Sequence, residues 1–338
     1  MPATPAADDR HDDWLRGPRE FDPAQRTDRA VGGPPLVDEP TEQVPVIRRD
    51  TGDDPRPGSP DEPGSGSPGV PARRSVDLPV AGVAALLTVV LAAGAAAPAG
   101  AYAVLVFAVQ ALFVYSWATA TRPPAPRTVA GVGLAAAAAA DLAAAWVEPA
   151  SLAPLAYVTA AAFGAGVIGQ LARPAGRERV TESLGNTLAV VVGVVALAGL
   201  VVLIRQPVGN RSIVACLVAA GAAVTVARLT DTVAPWPRFT PQVPRGGLGV
   251  LLGVLVGAVA AAVAGSLVTG VTVGTAAVAG LVAAVIAAVT DLAACYAEAG
   301  RQVTGDAPAP GLVARAQGPL LALALSAPVA YVVSALLL

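Results

Sequence analysis

The sequence predicts an all-α fold: a polytopic transmembrane helical bundle of about nine spans, preceded by a disordered N-terminal tail. Three observations predict it. The chain divides sharply in composition: residues 1–76 are rich in Asp, Pro, Gly and Arg, whereas residues 77–338 are mostly Ala, Val, Leu and Gly. The second part is cut into apolar runs of roughly 20 residues, the length a helix needs to cross a bilayer. Arginines gather in every second loop between those runs, the signature of alternating crossings.

The tail comes first. It has almost no apolar clusters, so it cannot bury enough surface to offset the entropy of ordering, and disorder is expected over 1–76. Residues 1–30 are charged and lack an apolar run, so no signal peptide is expected. The tail's one apolar patch runs from Thr41 to Arg49. It reads as part of a plain solvated tether in preference to a docking motif phosphorylated at Thr41.

The expected spans cover about 79–97, 101–120, 128–147, 153–171, 186–204, 212–227, 247–265, 271–290 and 319–337. The first two meet tightly around Pro98 and Gly100 but together are too long for one crossing. With nine spans, Arg73, Arg74, Arg122, Arg127, Arg173, Arg177, Arg179, Arg228, Arg238, Arg245, Arg301 and Arg315 fall on one side, and only Arg205 and Arg211 on the other. Basic loops stay inside. The expectation is therefore a multi-pass protein of a bacterial-type inner (plasma) membrane, with the N-terminus cytoplasmic and the C-terminus outside. Gly131, Gly133, Gly164, Gly166, Gly193, Gly199, Gly249, Gly253 and Gly257 are read as packing residues that let helices approach closely in lipid.

Composition also excludes. The chain has no lysine and no basic stripe with interleaved aromatics, so nucleic acid is not an expected partner. Its single histidine, His11, lies in the tail, which removes His-based triads and His-ligated metals from the membrane part. Cys216 and Cys295 sit in separate apolar segments and read as small core residues, not as a disulfide or metal pair. Membrane lipid is the expected partner, and a homodimer is left open.

Polar groups within membrane spans are costly and carry functional hypotheses by default. Asp141 lies inside the third span, Asp291 closes the eighth, and Gln110 and Gln170 are milder cases. Asp141 is a candidate proton or cation site. The blander reading has it reaching headgroups or an arginine near the outer end. The loops after the sixth and eighth spans hold Asp231, Arg238, Arg245 and Arg315. Such arginines suit phosphate, by paired hydrogen bonds, as well as topology and headgroup contacts.

Order and spacing in the last third bring a family into view. Asp231-Thr232 is followed by Thr240-Pro241 and Gly247, which opens a glycine-rich span. Thr290-Asp291-Leu292 ends the next span; Gly311, Ala314-Arg315-Ala316-Gln317-Gly318 and Pro328-Val329-Ala330-Tyr331 follow. Residues 228–338 so arranged resemble phosphatidate cytidylyltransferase, the CDP-diacylglycerol synthase. The resemblance implies a roughly nine-span fold that joins CTP to phosphatidate and releases pyrophosphate, with Mg²⁺ at the cytoplasmic face. It implies Asp231 and Asp291 as metal ligands, Asp291 and Arg315 as catalytic residues, and Arg238, Arg245 and Arg315 as phosphate contacts. Residues 77–338 would form the domain.

The chain departs from the family pattern. Gln242 and Val243 stand for a Lys pair, the His-Gly-Gly element is missing, and Ala314 and Gln317 stand where two aspartates belong. Alanine cannot ligate a metal, and charge neutralisation at phosphorus rests on metal ions and cations. Two readings follow: a divergent enzyme that uses Mg²⁺, or a paralogue without catalysis or cofactor that binds lipid or a partner. A small-solute permease built around Asp141 ranks last, because the two halves show no internal symmetry.

Overall fold

Alternating apolar and arginine-bearing segments fold into antiparallel helices. The computed structural model describes residues 74–172, 179–240, 243, 245–267 and 272–337. The tail expected over 1–76 lies outside these residues, apart from 74–76, which open the first helix. Among the described residues there are ten helices: α1 (Arg74–Gly94), α2 (Ala99–Thr121), α3 (Pro126–Trp146), α4 (Ala153–Leu171), α5 (Val180–Ile204), α6 (Gly209–Val233), α7 (Gly247–Leu267), α8 (Val273–Val303), α9 (Gly311–Arg315) and α10 (Gln317–Leu337). No strand is formed there.

Eight of these helices are long and apolar enough to cross a membrane, and α1 adds a shorter apolar stretch, Leu78–Gly94. The chain is a polytopic helical membrane protein. The nine expected spans correspond to α1 through α8 and α10, with α1 and α2 separate helices on either side of Pro98. Two helices overrun their expected ends. α6 continues to Val233 and α8 to Val303, because Arg228, Asp231 and Asp291 find partners that let the helix carry them.

Local signals explain several boundaries. α3 begins on a proline, whose missing N–H costs nothing at a helix start. α2 stops at Arg122, which adopts the left-handed conformation at φ 46° and returns its N–H to Ala118 O. α8 starts at Thr272, whose hydroxyl accepts from Thr275 N at 3.2 Å.

α5 and α6 are the central helices. α5 packs against α2, α3, α4 and α10; α6 packs against α1, α7, α8 and α10. α7 lies close along α6, and the reason is a stripe of glycines. Gly249, Gly253 and Gly257 recur at every fourth residue, and a Cβ on each would run into the carbonyl oxygens of Ala227, Ala223 and Ala219 respectively. Their absence lets two backbones meet where lipid gives little apolar driving force.

Side-chain contacts define two ends of the bundle. At one end lie the finish of α6, the start of α7, the late part of α8 and the start of α10, joined through Asp231, Arg245, Asp291 and Gly318. At the other, Arg205 after α5 donates to Ala144 O at 2.6 Å and Val147 O at 2.9 Å and pairs with Glu148, capping α3. Ser334, late in α10, donates to Gln206 there at 3.2 Å.

A buried arginine–aspartate cluster as the candidate functional site

Arg228 and Asp231 stand three residues apart near the end of α6, so both project on one face. Asp291 reaches the same point from α8. After α6 the chain reverses through Pro235 and Pro237. It comes back with Arg238 and Gly246 in an isolated antiparallel bridge, and Gly247 N donates to Pro237 O at 2.8 Å. This return sets Arg245 beneath α6. Gly246 is required there: a Cβ would lie 2.8 Å from the backbone of Pro235 and Trp236.

The four charged groups are all buried, at 5% exposure for Arg228, 4% for Asp231, 3% for Arg245 and 2% for Asp291. Arg228 Nη2 donates to Asp291 Oδ1 at 2.5 Å. Arg245 spreads its guanidinium over three partners: Nη1 to Asp231 Oδ2 at 2.9 Å, Nη2 to Asp291 Oδ2, and Nε to Cys295 Sγ at 3.4 Å. Gly246 N donates to Asp231 Oδ1 at 3.0 Å. All four carboxylate oxygens therefore meet a donor, and the two positive and two negative charges balance. The fork geometry of arginine is what allows one side chain to hold both aspartates.

The neighbouring helices leave space shaped for the cluster. A Cβ at Gly249 would collide with Asp231 Oδ1, and one at Gly318 would collide with Asp291 Oδ1 and lie 3.2 Å from Arg228 Nη2. Glycine at the start of both α7 and α10 is thus tied to the ion pairs.

The structure brings together Asp231, Asp291 and Arg245 among the sequence-predicted residues, and adds Arg228. It does not bring Arg238 or Arg315 to them. Arg238 is exposed on the return loop. Arg315, in α9, donates from Nε to Ala309 O at 3.3 Å. Ala314, Ala316 and Gln317 are buried at the α9–α10 junction. Arg228 reads in sequence as a topology arginine; its spacing of three from Asp231 on one helix was the signal for its role.

The donor set does not fit Mg²⁺. A hard divalent cation takes about six oxygen ligands, usually with more than one carboxylate. Here the carboxylates face guanidinium groups, and no group of three or more His, Cys, Asp or Glu side chains is gathered among the described residues. Asp141 occupies a separate place, in α3, where Gln110 Nε2 donates to its Oδ1 at 3.0 Å and to Val194 O at 2.9 Å. Among the described residues no arginine bonds to it, and at 6% exposure it does not reach outward.

In comparison with known proteins, no family model matches this chain, and no curated protein matches it.

Proposed function

We propose that this chain is a catalytically silent membrane protein built on a helical frame like that of phosphatidate cytidylyltransferase, and that it serves by binding membrane lipid or a partner rather than by transferring a cytidylyl group. One observation carries the reading: every carboxylate oxygen of Asp231 and Asp291 is engaged by Arg228, Arg245 or Gly246 N. The residues that the family resemblance makes metal ligands are spent on a neutral lock. Phosphoryl-type transfer needs cationic charge turned toward the reacting phosphate. Arg228 and Arg245 are turned toward carboxylates instead.

Under the same reading the arginine-rich end faces the cytoplasm of a bacterial-type plasma membrane, with the C-terminus outside.

A second reading keeps the enzyme. Asp231 and Asp291, sixty positions apart in sequence, share Arg245, so the two residues that the resemblance makes metal ligands lie side by side. Purified full-length protein given labelled CTP, phosphatidate and Mg²⁺ decides between the two. The silent reading expects no CDP-diacylglycerol across lipids and metals. Product that disappears in Asp291→Asn establishes the enzyme and overturns it.

A further inference from the structure

Gln110 is the central residue of α2, and Asp141 lies roughly one and a half turns before the end of α3. Both are buried, Gln110 completely. They meet in the apolar heart of the α2–α3–α5 unit, beside Val194 of α5. The carboxamide nitrogen is spent on Asp141 Oδ1 and Val194 O. That leaves two acceptors, Asp141 Oδ2 and Gln110 Oε1, each buried and without a donor among the described residues.

Charged groups elsewhere do not supply what is missing. Among the described residues, the helices packed against α3 are α2, α4 and α5. Their titratable or charged side chains are Tyr102 and Tyr115 on α2, Tyr157 on α4 and Glu182 on α5. None of these bonds to Asp141. Arg205, beyond α5, commits its guanidinium to Ala144 O, Val147 O and Glu148. Arg127 stands at the opposite end of α3 from Asp141.

A buried carboxylate bonded to one neutral amide pays a large desolvation cost, which in lipid calls for a counter-charge or neutralisation. A metal cation draws on a larger oxygen shell than two side-chain atoms. One hydrogen on Oδ2 completes the inventory: the acid O–H becomes the donor that an amide oxygen lacks, while the amide N–H already serves Oδ1. We propose that Asp141 and Gln110 form a proton-binding site within the membrane, holding one proton on Asp141 Oδ2 that is donated to Gln110 Oε1. The site is independent of the arginine–aspartate cluster and of whether that cluster is catalytic.

Infrared difference spectra of the full chain in lipid nanodiscs, native minus Asp141→Asn, test this. The expected result is a protonated-carboxyl carbonyl band, present in the native protein and lost in the variant. Asparagine offers an N–H₂ donor where the acid O–H would stand, so Asp141→Asn should fold and keep its thermal midpoint, whereas Asp141→Ala should lower it. Carboxylate bands in place of the acid band would overturn the proposal. So would an Asp141→Asn protein that fails to fold, or a native midpoint that rises with Na⁺ at fixed pH only when Asp141 is present, which would mark a metal cation in place of the proton.

Discussion

Arg245 shows how much one side chain holds together. It joins the return loop to α6 through Asp231 and to α8 through Asp291, and Arg228 of α6 pairs with the same Asp291. A buried pair is weak evidence of net stability, since desolvation offsets much of the attraction, but removing one member strands the rest. Arg245→Ala should therefore cost about 3–5 kcal/mol, read as a lowered unfolding midpoint in detergent or nanodiscs. Arg238→Ala, an exposed control, should change stability by no more than about 0.5 kcal/mol. An equal effect from both would mean that the cluster carries no special share of the fold. Asp291 stood out in the sequence by its place at the end of the eighth span, and Asp231, expected in the loop after the sixth, by the family resemblance. Their partner choice was not legible, because an arginine that marks topology and one that neutralises a carboxylate look alike until the helix ends are placed.

Among the helices, α7 depends on what it lacks. Gly249, Gly253 and Gly257 leave room for the carbonyls of Ala227, Ala223 and Ala219 on α6. Gly253→Ala puts a methyl against backbone that cannot swing aside, and overpacking of this kind costs about 1–3 kcal/mol. Gly131→Ala has open space around its Cβ and should leave the midpoint unchanged or slightly raised by helix propensity. Thermal unfolding of both variants checks the contrast. The sequence spacing already marked the stripe as packing, and glycines at 133, 166 and 193 also meet neighbouring side chains. Gly131, Gly164 and Gly199, which look the same in sequence, meet nothing within 4 Å. Composition identifies small residues; only the rotation of each helix decides which of them face a neighbour.

For the whole protein, the apolar runs anticipated the helices. α2 through α4, α7 and α10 fall close to their expected positions, since an apolar run in lipid has few conformations open to it, whereas α5 begins at Val180, ahead of the expected 186. The helices that overran, α6 and α8, did so where hydropathy stops reporting and ion pairing takes over. The proposed topology predicts that a reporter fused after residue 338 is active only outside the cytoplasm, and one fused within the α8–α9 connection at 304–310 only inside it. Both reporters active on the same side would remove the nine-crossing arrangement.

The wiring of the cluster has a consequence for how the chain is made. Asp231 and Arg245 belong to one hairpin and are able to neutralise each other as soon as α6 and α7 have been synthesised. Asp291 follows about sixty residues later and brings the second carboxylate, which links Arg228 to Arg245. A message truncated between α7 and α8 yields a product with two arginines and one aspartate at this end of the bundle, and so with a net positive charge that the finished chain cancels.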